Sequence, residues 1–372
     1  MPLGQPTPTS IKRIGLLTSG GDCSGLNAVI RAVVYRATQT YGWQVFGILR
    51  GTLGLMERPL MYEELSLSRF QGHMLRTGGT MLGTTSKGDP FHFPMPDGSF
   101  KDRSGDFVEG FQELGIDALI GIGGDGSLNL LSRLTKKGGI GFVGIPKTID
   151  NDVALTEFAV GFSTAVSVAT DSLDRLLSTA VSHNRVMILE VMGRDAGHIA
   201  IGAGLAGGAD IVLLPEVPYS EEGIITKLKS LETRGQHHAL MVVAEGVLPI
   251  AGKKLANGKG IGDHLGDVLS SRIDADVRVT VLGHMQRGGA PSAQDRILAQ
   301  TFGTRAVDLA AQGRFDRMVA WRERGVVDVP LDQVVKHGER KVLVEGTHVR
   351  TARALGIYVG EDPAQFKAES VL

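Results

Sequence analysis

VGIPKTIDND, residues 143–152, decides how the rest of this chain is read. It opens as an apolar strand, continuous with Gly141 and Phe142, and its pattern predicts a break at Pro146. The residues that follow offer one ammonium (Lys147), one hydroxyl (Thr148) and two carboxylates (Asp150, Asp152). A strand that ends in such a loop lies where open α/β sheets hold their ligands, beyond the carboxyl ends of the strands. A carboxylate held there can take a proton from a hydroxyl or hold a metal ion. Asn151 and the aspartates are also ordinary turn formers, so taken alone the stretch reads sooner as a surface turn, and the other motifs reverse that.

The composition narrows the setting. A chain of 372 residues is long enough for two domains or one large one. With 51 glycines and only 5% aromatic residues, it suits α/β sheets with many tight strand–helix turns better than a β-sandwich. The net charge of −1 provides no global basic field, so nucleic acid is not an expected partner and an anionic ligand needs a local cluster. The single cysteine, Cys23, excludes an intramolecular disulfide and a cysteine-based zinc site, and fits a reducing compartment. No run approaches the roughly 18 apolar residues of a membrane helix. Residues 1–10 lack an apolar segment and read as a disordered tail. A soluble, cytoplasmic protein is expected.

Outward from the central stretch, strands and helices alternate. Ile14–Thr18 reads as a strand opening into SGGDCS and a helix over Leu26–Ala37. Gly20 and Gly21 bring bare N–H groups and a helix N-terminus to one place, which suits a phosphate but matches neither a Walker A loop nor G-x-G-x-x-G. Trp43–Leu49 is the next strand. LRTGGTMLGTTSKGDPF, residues 75–91, reads as a loop whose hydroxyls and Lys87 suit phosphate contacts. Ala118–Gly124 is a strand running into Asp125-Gly126-Ser127 and a helix, and so repeats the first strand–glycine–helix turn. Asp125 there can be a helix cap or can serve a Mg²⁺ that bridges phosphates.

Beyond Asp152 a second α/β unit is expected. Ser163–Ala180, Glu222–Arg234, Asp263–Arg272 and Ser292–Gln312 read as helices. Arg185–Met192, Ile211–Leu214, Ala239–Ala244 and Arg278–Leu282 read as strands, and residues 250–262 as a solvated loop. The stretch from Val326 has no clear pattern. Doubly wound parallel sheets follow from this alternation. Polar clusters follow predicted strands throughout: Gly20–Ser24, Gly124–Ser127, Lys147–Asp152, Gly193–Asp195, Glu245 and His284–Arg287. Arginine forks suit phosphate oxygens, and aspartates beside them point to metal-assisted phosphoryl transfer.

TSGGDCSGLNAVIR, GGDGS, PKTIDND, SHNRVMILEVMGR and VLGHMQRGGAPSAQDR resemble, in order, the main motifs of the 6-phosphofructokinase family, over about residues 12–310. The resemblance implies an α/β protein of two Rossmann-like doubly wound domains with the active site in the cleft between them. Residues 11–161 plus about 286–335 would form the larger, donor-binding domain and 162–285 the smaller, sugar-phosphate domain, with 336–372 a C-terminal extension. It further implies a homo-oligomer, a tetramer, that uses Mg²⁺ to move a phosphoryl group to the 1-hydroxyl of fructose 6-phosphate, giving fructose 1,6-bisphosphate.

By the same resemblance Asp150 is the base, with Thr148 beside it in the catalytic set, Asp125 the magnesium-associated carboxylate and Arg194 the group that stabilises charge on the moving phosphoryl. Thr148, Ile149, Asp150, Met192, Gly193, Glu245, His284, Met285, Gln286 and Arg287 match sugar-phosphate positions. Arg185 and Arg278 match arginines that reach the substrate phosphate from a neighbouring subunit. Gly21, Lys87, Gly88, Gly124, Asp125, Gly126 and Ser127 match donor positions.

Three features depart from the pattern. Lys87 stands where arginine is usual. Gly126 goes with ATP in the family, whereas Lys147 goes with pyrophosphate. A missing side chain permits a nucleotide, and a flexible lysine can meet either donor, so ATP is the expected donor and pyrophosphate (or ADP) the alternative. Finally, Arg31 keeps one cation of the family's bacterial effector site, but Tyr35, Leu177, Gln236 and His237 replace others. Two further alternatives are a lipid or nucleoside kinase with a related GGDG turn, which leaves PKTIDND and GHMQRGG unexplained, and a non-catalytic regulatory subunit, which would be expected to lack Asp150 or the arginines.

Overall fold

Gly141–Thr148 is the spine of the first sheet. In the computed structural model, which describes residues 11–70, 72–86, 88–250 and 259–361, this strand does not break at Pro146 but runs on to Thr148. Its neighbours explain the difference. On one side Arg317–Arg322 pairs only with Val143 and Gly144, so the absent N–H of Pro146 falls beyond that ladder. On the other, Pro146 lies opposite Gly123, the last residue of its strand. Val160–Gly161 then pairs with Lys147 and Thr148 and carries the strand to its end.

The chain divides into two compact units. The first comprises residues up to Thr148, 152–164 and 287–339; the second comprises 149–151, 165–286 and the chain from Arg340 onward. In the first, the sheet order is Gly325–Pro330, Arg317–Arg322, Gly141–Thr148, Ala118–Gly123, Arg13–Thr18, Gln44–Ile48, Tyr62–Glu64. The inner pairings are parallel and the two edge pairings antiparallel. One apolar face buries Leu17, Leu119 and Phe142 with Phe107, Phe111, Leu128 and Leu131 from the helices Ser104–Leu114 and Asp125–Gly138. The helices Leu26–Tyr41 and Ala293–Ala311 pack against each other. A Cβ at Gly303 would lie 2.9 Å from the Val29 carbonyl oxygen, so glycine is what permits their close approach.

The second unit holds a parallel sheet in the order Ile211–Leu213, Ala239–Ala244, Val186–Val191, Val277–Val281. The two middle strands are buried throughout, as continuous apolar runs in parallel sheets require. Glu190 is the exception. Its buried carboxylate accepts the Gly262 N–H (2.7 Å) in the first turn of Ile261–Ser270, and burial raises its pKa. Past the helix Thr347–Ala354, Tyr358 extends the sheet: its carbonyl accepts from the Val212 N–H (2.9 Å), and its own N–H donates to Asp210 (3.0 Å). The stretch from Val326, which has no pattern in the sequence, thus serves both units: its start, up to Pro330, edges the first sheet, and Tyr358 edges the second. Among the described residues, no helix is long and apolar enough to cross a membrane.

Candidate functional site

In the first unit the turn after Arg13–Thr18 is fixed from several sides. Ser19 N–H donates to Ile122, Gly20 N–H to Thr85, and the Thr84 hydroxyl to the Gly20 carbonyl (2.6 Å). Gly20 has φ +84°, and a Cβ there would meet Ser127 Oγ at 2.7 Å. The two glycine turns read separately from sequence therefore come together, Gly20 against Ser127. Lys147, 4% exposed, donates its ammonium to the Gly21 carbonyl. Arg287 donates Nη1 to the Asp22 carbonyl (3.0 Å), so it joins this turn. Buried Cys23 donates its thiol to the Val160 carbonyl (3.3 Å), and burial pushes its pKa up to about 12, which leaves it a packing residue rather than a nucleophile.

Gly124 precedes the helix Asp125–Gly138, which puts Asp125 and Gly126 in the first turn, where N–H groups are unpaired by the helix itself. A Cβ at Gly126 would meet nothing within 4 Å: its face is open. Gly88 has φ +83° and packs on the Phe93 ring, where no side chain fits. Lys87 lies outside the described residues, as do residues 1–10 of the expected tail and 251–258 of the expected loop.

In the second unit, Asp150 and Asn151 are both 4% exposed, and Asn151 takes φ +52°. Gly193 and Arg194 follow the strand Val186–Val191 with φ +147° and +50°. Both of their N–H groups converge on Glu245 Oε1, at 3.2 and 2.9 Å. Glu245 is itself set at the end of its strand by donating N–H to the Val191 carbonyl (2.8 Å). One carboxylate oxygen thus fixes the arginine turn. Fully buried Gln286 accepts the Met192 N–H (2.8 Å), while His284 and Met285 beside it are exposed.

Two residues that sequence reasoning missed organise this set. A Cβ at Gly246 would lie 1.9 Å from the Arg194 carbonyl oxygen, so only glycine lets the arginine turn sit there. Asp276 takes Arg185 Nε at 2.8 Å and pairs with Arg278 Nη1 through its other oxygen, so both expected phosphate arginines converge on one carboxylate. A lone aspartate before a strand carries no signal of this in the sequence.

Of the positions compared with an effector site in the sequence, Arg31, Tyr35 and Gln236 are engaged within the fold. The Arg31 guanidinium stacks on the Tyr35 ring, 4.2 Å from its centroid, and reaches Gln300. Gln236 donates to Asp210 (3.0 Å) and to the His238 carbonyl (3.1 Å). Gln236 and His237 line a cavity of about 410 Å³ with Lys229 and Arg272, but Arg272 is already paired with Glu221 and Glu222.

Residues 13–310 match the family model described as phosphofructokinase. The chain is 53% identical over 360 residues to ATP-dependent 6-phosphofructokinase 1 of Synechocystis sp., covering 95% of this chain and 99% of that one. It is 54% identical over 358 residues to the protein of the same name from Nostoc sp., with coverages of 94% and 99%. Among solved structures, Pichia pastoris phosphofructokinase in the T-state superposes with a TM-score of 0.78 at 30% identity, over 95% of this chain and 38% of that longer one. Pyrophosphate-dependent phosphofructokinase from Nitrosospira multiformis gives 0.76 at 21% identity, over 94% and 93% of the chains, a likeness of fold alone. On its strand-end loops and on this similarity along nearly its whole length, the chain belongs to the phosphofructokinase family.

Proposed function

We propose that this protein is an ATP-dependent 6-phosphofructokinase, transferring the terminal phosphoryl group of ATP to the 1-hydroxyl of fructose 6-phosphate. The observation that carries the donor assignment is the open face of Gly126 in the first turn of its helix, where a nucleotide meets no side chain. Lys147 supports it from the other side. Its ammonium is buried against the Gly21 carbonyl, so the residue that elsewhere signals pyrophosphate holds the glycine turn here.

In this reading Asp150 accepts the proton of the attacking hydroxyl. Arg194 takes up the negative charge that develops on the moving phosphoryl group, on a turn held by Glu245. Met192, Gly193, Glu245 and His284 through Arg287 bind the sugar phosphate with Thr148 and Ile149. Arg185 and Arg278 serve the phosphate of a neighbouring subunit in a homotetramer. Gly21, Gly88, Gly124 and Ser127 bind the donor, and so does Lys87. Asp125 fits Mg²⁺: it is a hard oxygen ligand beside the open Gly126 face, and Mg²⁺ is characteristically held by one or two carboxylates together with phosphate oxygens. The ion, when bound, neutralises phosphate charge. The reading places the enzyme in the cytoplasm.

Titrating ATP, ADP and pyrophosphate separately at fixed fructose 6-phosphate and Mg²⁺ tests the donor. ATP is expected to give the highest kcat/KM; a preference for pyrophosphate would reject the weight placed on Gly126. A second titration addresses regulation. With Arg31 stacked on Tyr35 and Gln236 bonded to Asp210, ADP or phosphoenolpyruvate at subsaturating sugar phosphate is expected to change the rate by less than about twofold, below the usual range of allosteric coupling. A strong, saturable response would show that the effector site works despite its lost cations.

A further inference from the structure

The C-terminal segment of the second unit reaches the two loops on which the proposed chemistry depends. Arg340 donates Nε and Nη2 to a single acceptor, the Asn151 carbonyl, at 3.1 and 2.9 Å. The next residue, Lys341, donates Nζ to the Asp195 carbonyl at 2.6 Å. The acceptors thus belong to the residues that directly follow Asp150 and Arg194. Left-handed backbone sits at the same places, at Asn151 (φ +52°) and at Arg194 (φ +50°). Non-glycine residues hold such angles only where the surroundings fix them.

The segment is itself anchored. Val342 N–H donates to Glu216 Oε1 (2.9 Å), and the same carboxylate takes the Gly197 N–H (3.0 Å) just past the arginine turn. His198 Nε2 lies 3.3 Å from the Arg340 carbonyl. Burial brings the His198 pKa down to about 4, so the ring is neutral near pH 7, and facing a carbonyl its Nε2 carries the proton and donates. Arg340 is therefore held from behind while its guanidinium fork grips the loop in front.

We infer that Arg340 is a positioning residue for Asp150, with Lys341 doing the same, more weakly, for the Arg194 turn. This rests on the reading of Asp150 as the base. A forked, permanently charged donor on one carbonyl fixes both the direction and the distance of the peptide next to the base. A misplacement of about 1 Å at a reacting group can cost about a hundredfold in rate. Arg340 touches neither substrate in this account, so its loss acts on kcat rather than on binding.

The full-length enzyme carrying Arg340→Gln tests this. Its kcat is expected to fall about 10- to 100-fold, with KM for ATP and for fructose 6-phosphate changed by less than about threefold. Added guanidinium ion should restore part of the rate, and Arg340→Lys should fall between, since an ammonium lacks the fork. A kcat within about twofold of the parent would overturn the proposal. So would a fall in kcat and melting temperature together with a rise in both KM values and no guanidinium rescue, which marks a purely structural strap. Asp150→Asn is measured alongside. Near-parental turnover there would remove the base assignment and this inference with it, whereas an inactive Asp150→Asn beside a fully active Arg340→Gln would overturn this inference alone.

Discussion

Replacing Asp150 with asparagine should cut turnover by about 10² to 10⁴, the usual span for a general base, while fructose 6-phosphate still binds. The amide keeps the shape and volume of the carboxylate, which matters because the residue is only 4% exposed and a smaller side chain would leave a void. What the amide cannot do is accept the hydroxyl proton as the phosphorus–oxygen bond forms. Single-turnover rates with saturating ATP, and calorimetric binding of the sugar phosphate, separate the two effects. Turnover close to the parent's would remove Asp150 from the mechanism and return the PKTIDND loop to the status of a turn.

Gly126→Asp should raise the KM for ATP by about 10- to 100-fold, equivalent to about 1.4–2.8 kcal/mol, and leave the melting temperature unchanged. The two halves of this expectation come from the same observation. A Cβ at Gly126 meets nothing within 4 Å, so the fold has no objection to a side chain. The space that is open to a side chain is also the space proposed for the nucleotide, and a carboxylate there opposes phosphate charge as well as occupying volume. The KM for fructose 6-phosphate should change little. An unaltered KM for ATP would mean that the donor does not lie over this face.

The sequence was most informative where local pattern and long-range structure coincide. Strand, glycine turn and helix could be read at Gly20 and again at Gly124 because tight turns need residues without side chains, and the structure sets Gly20 against Ser127. It misled at Pro146, where a rule about proline within strands met a neighbour that pairs only as far as Gly144. It was silent on the hairpin Arg317–Arg322 and Gly325–Pro330. The turn between them is Glu323-Arg324, both residues with positive φ, in place of the Asn-Gly or Asp-Gly that announces such turns. Asp276, Gly246 and Arg340 were invisible for a different reason. Asp276 joins Arg278 to the distant Arg185, and Gly246 and Arg340 act on backbone carbonyls far away in sequence, none of which leaves a local mark.

The division of the chain has a consequence for how the molecule is made. The chain changes unit after residues 148, 151, 164, 286 and 339, so neither unit is a continuous stretch. The strand Arg317–Arg322, which lies directly beside Gly141–Thr148 in the first sheet, is translated more than 160 residues after it. The segment that grips Asn151 is translated later still. During synthesis the ribosome therefore exposes an incomplete first sheet, in which Val143 and Gly144 lack the partner strand on one side until Arg317–Arg322 has emerged. No single cut in the gene separates the two units into intact halves.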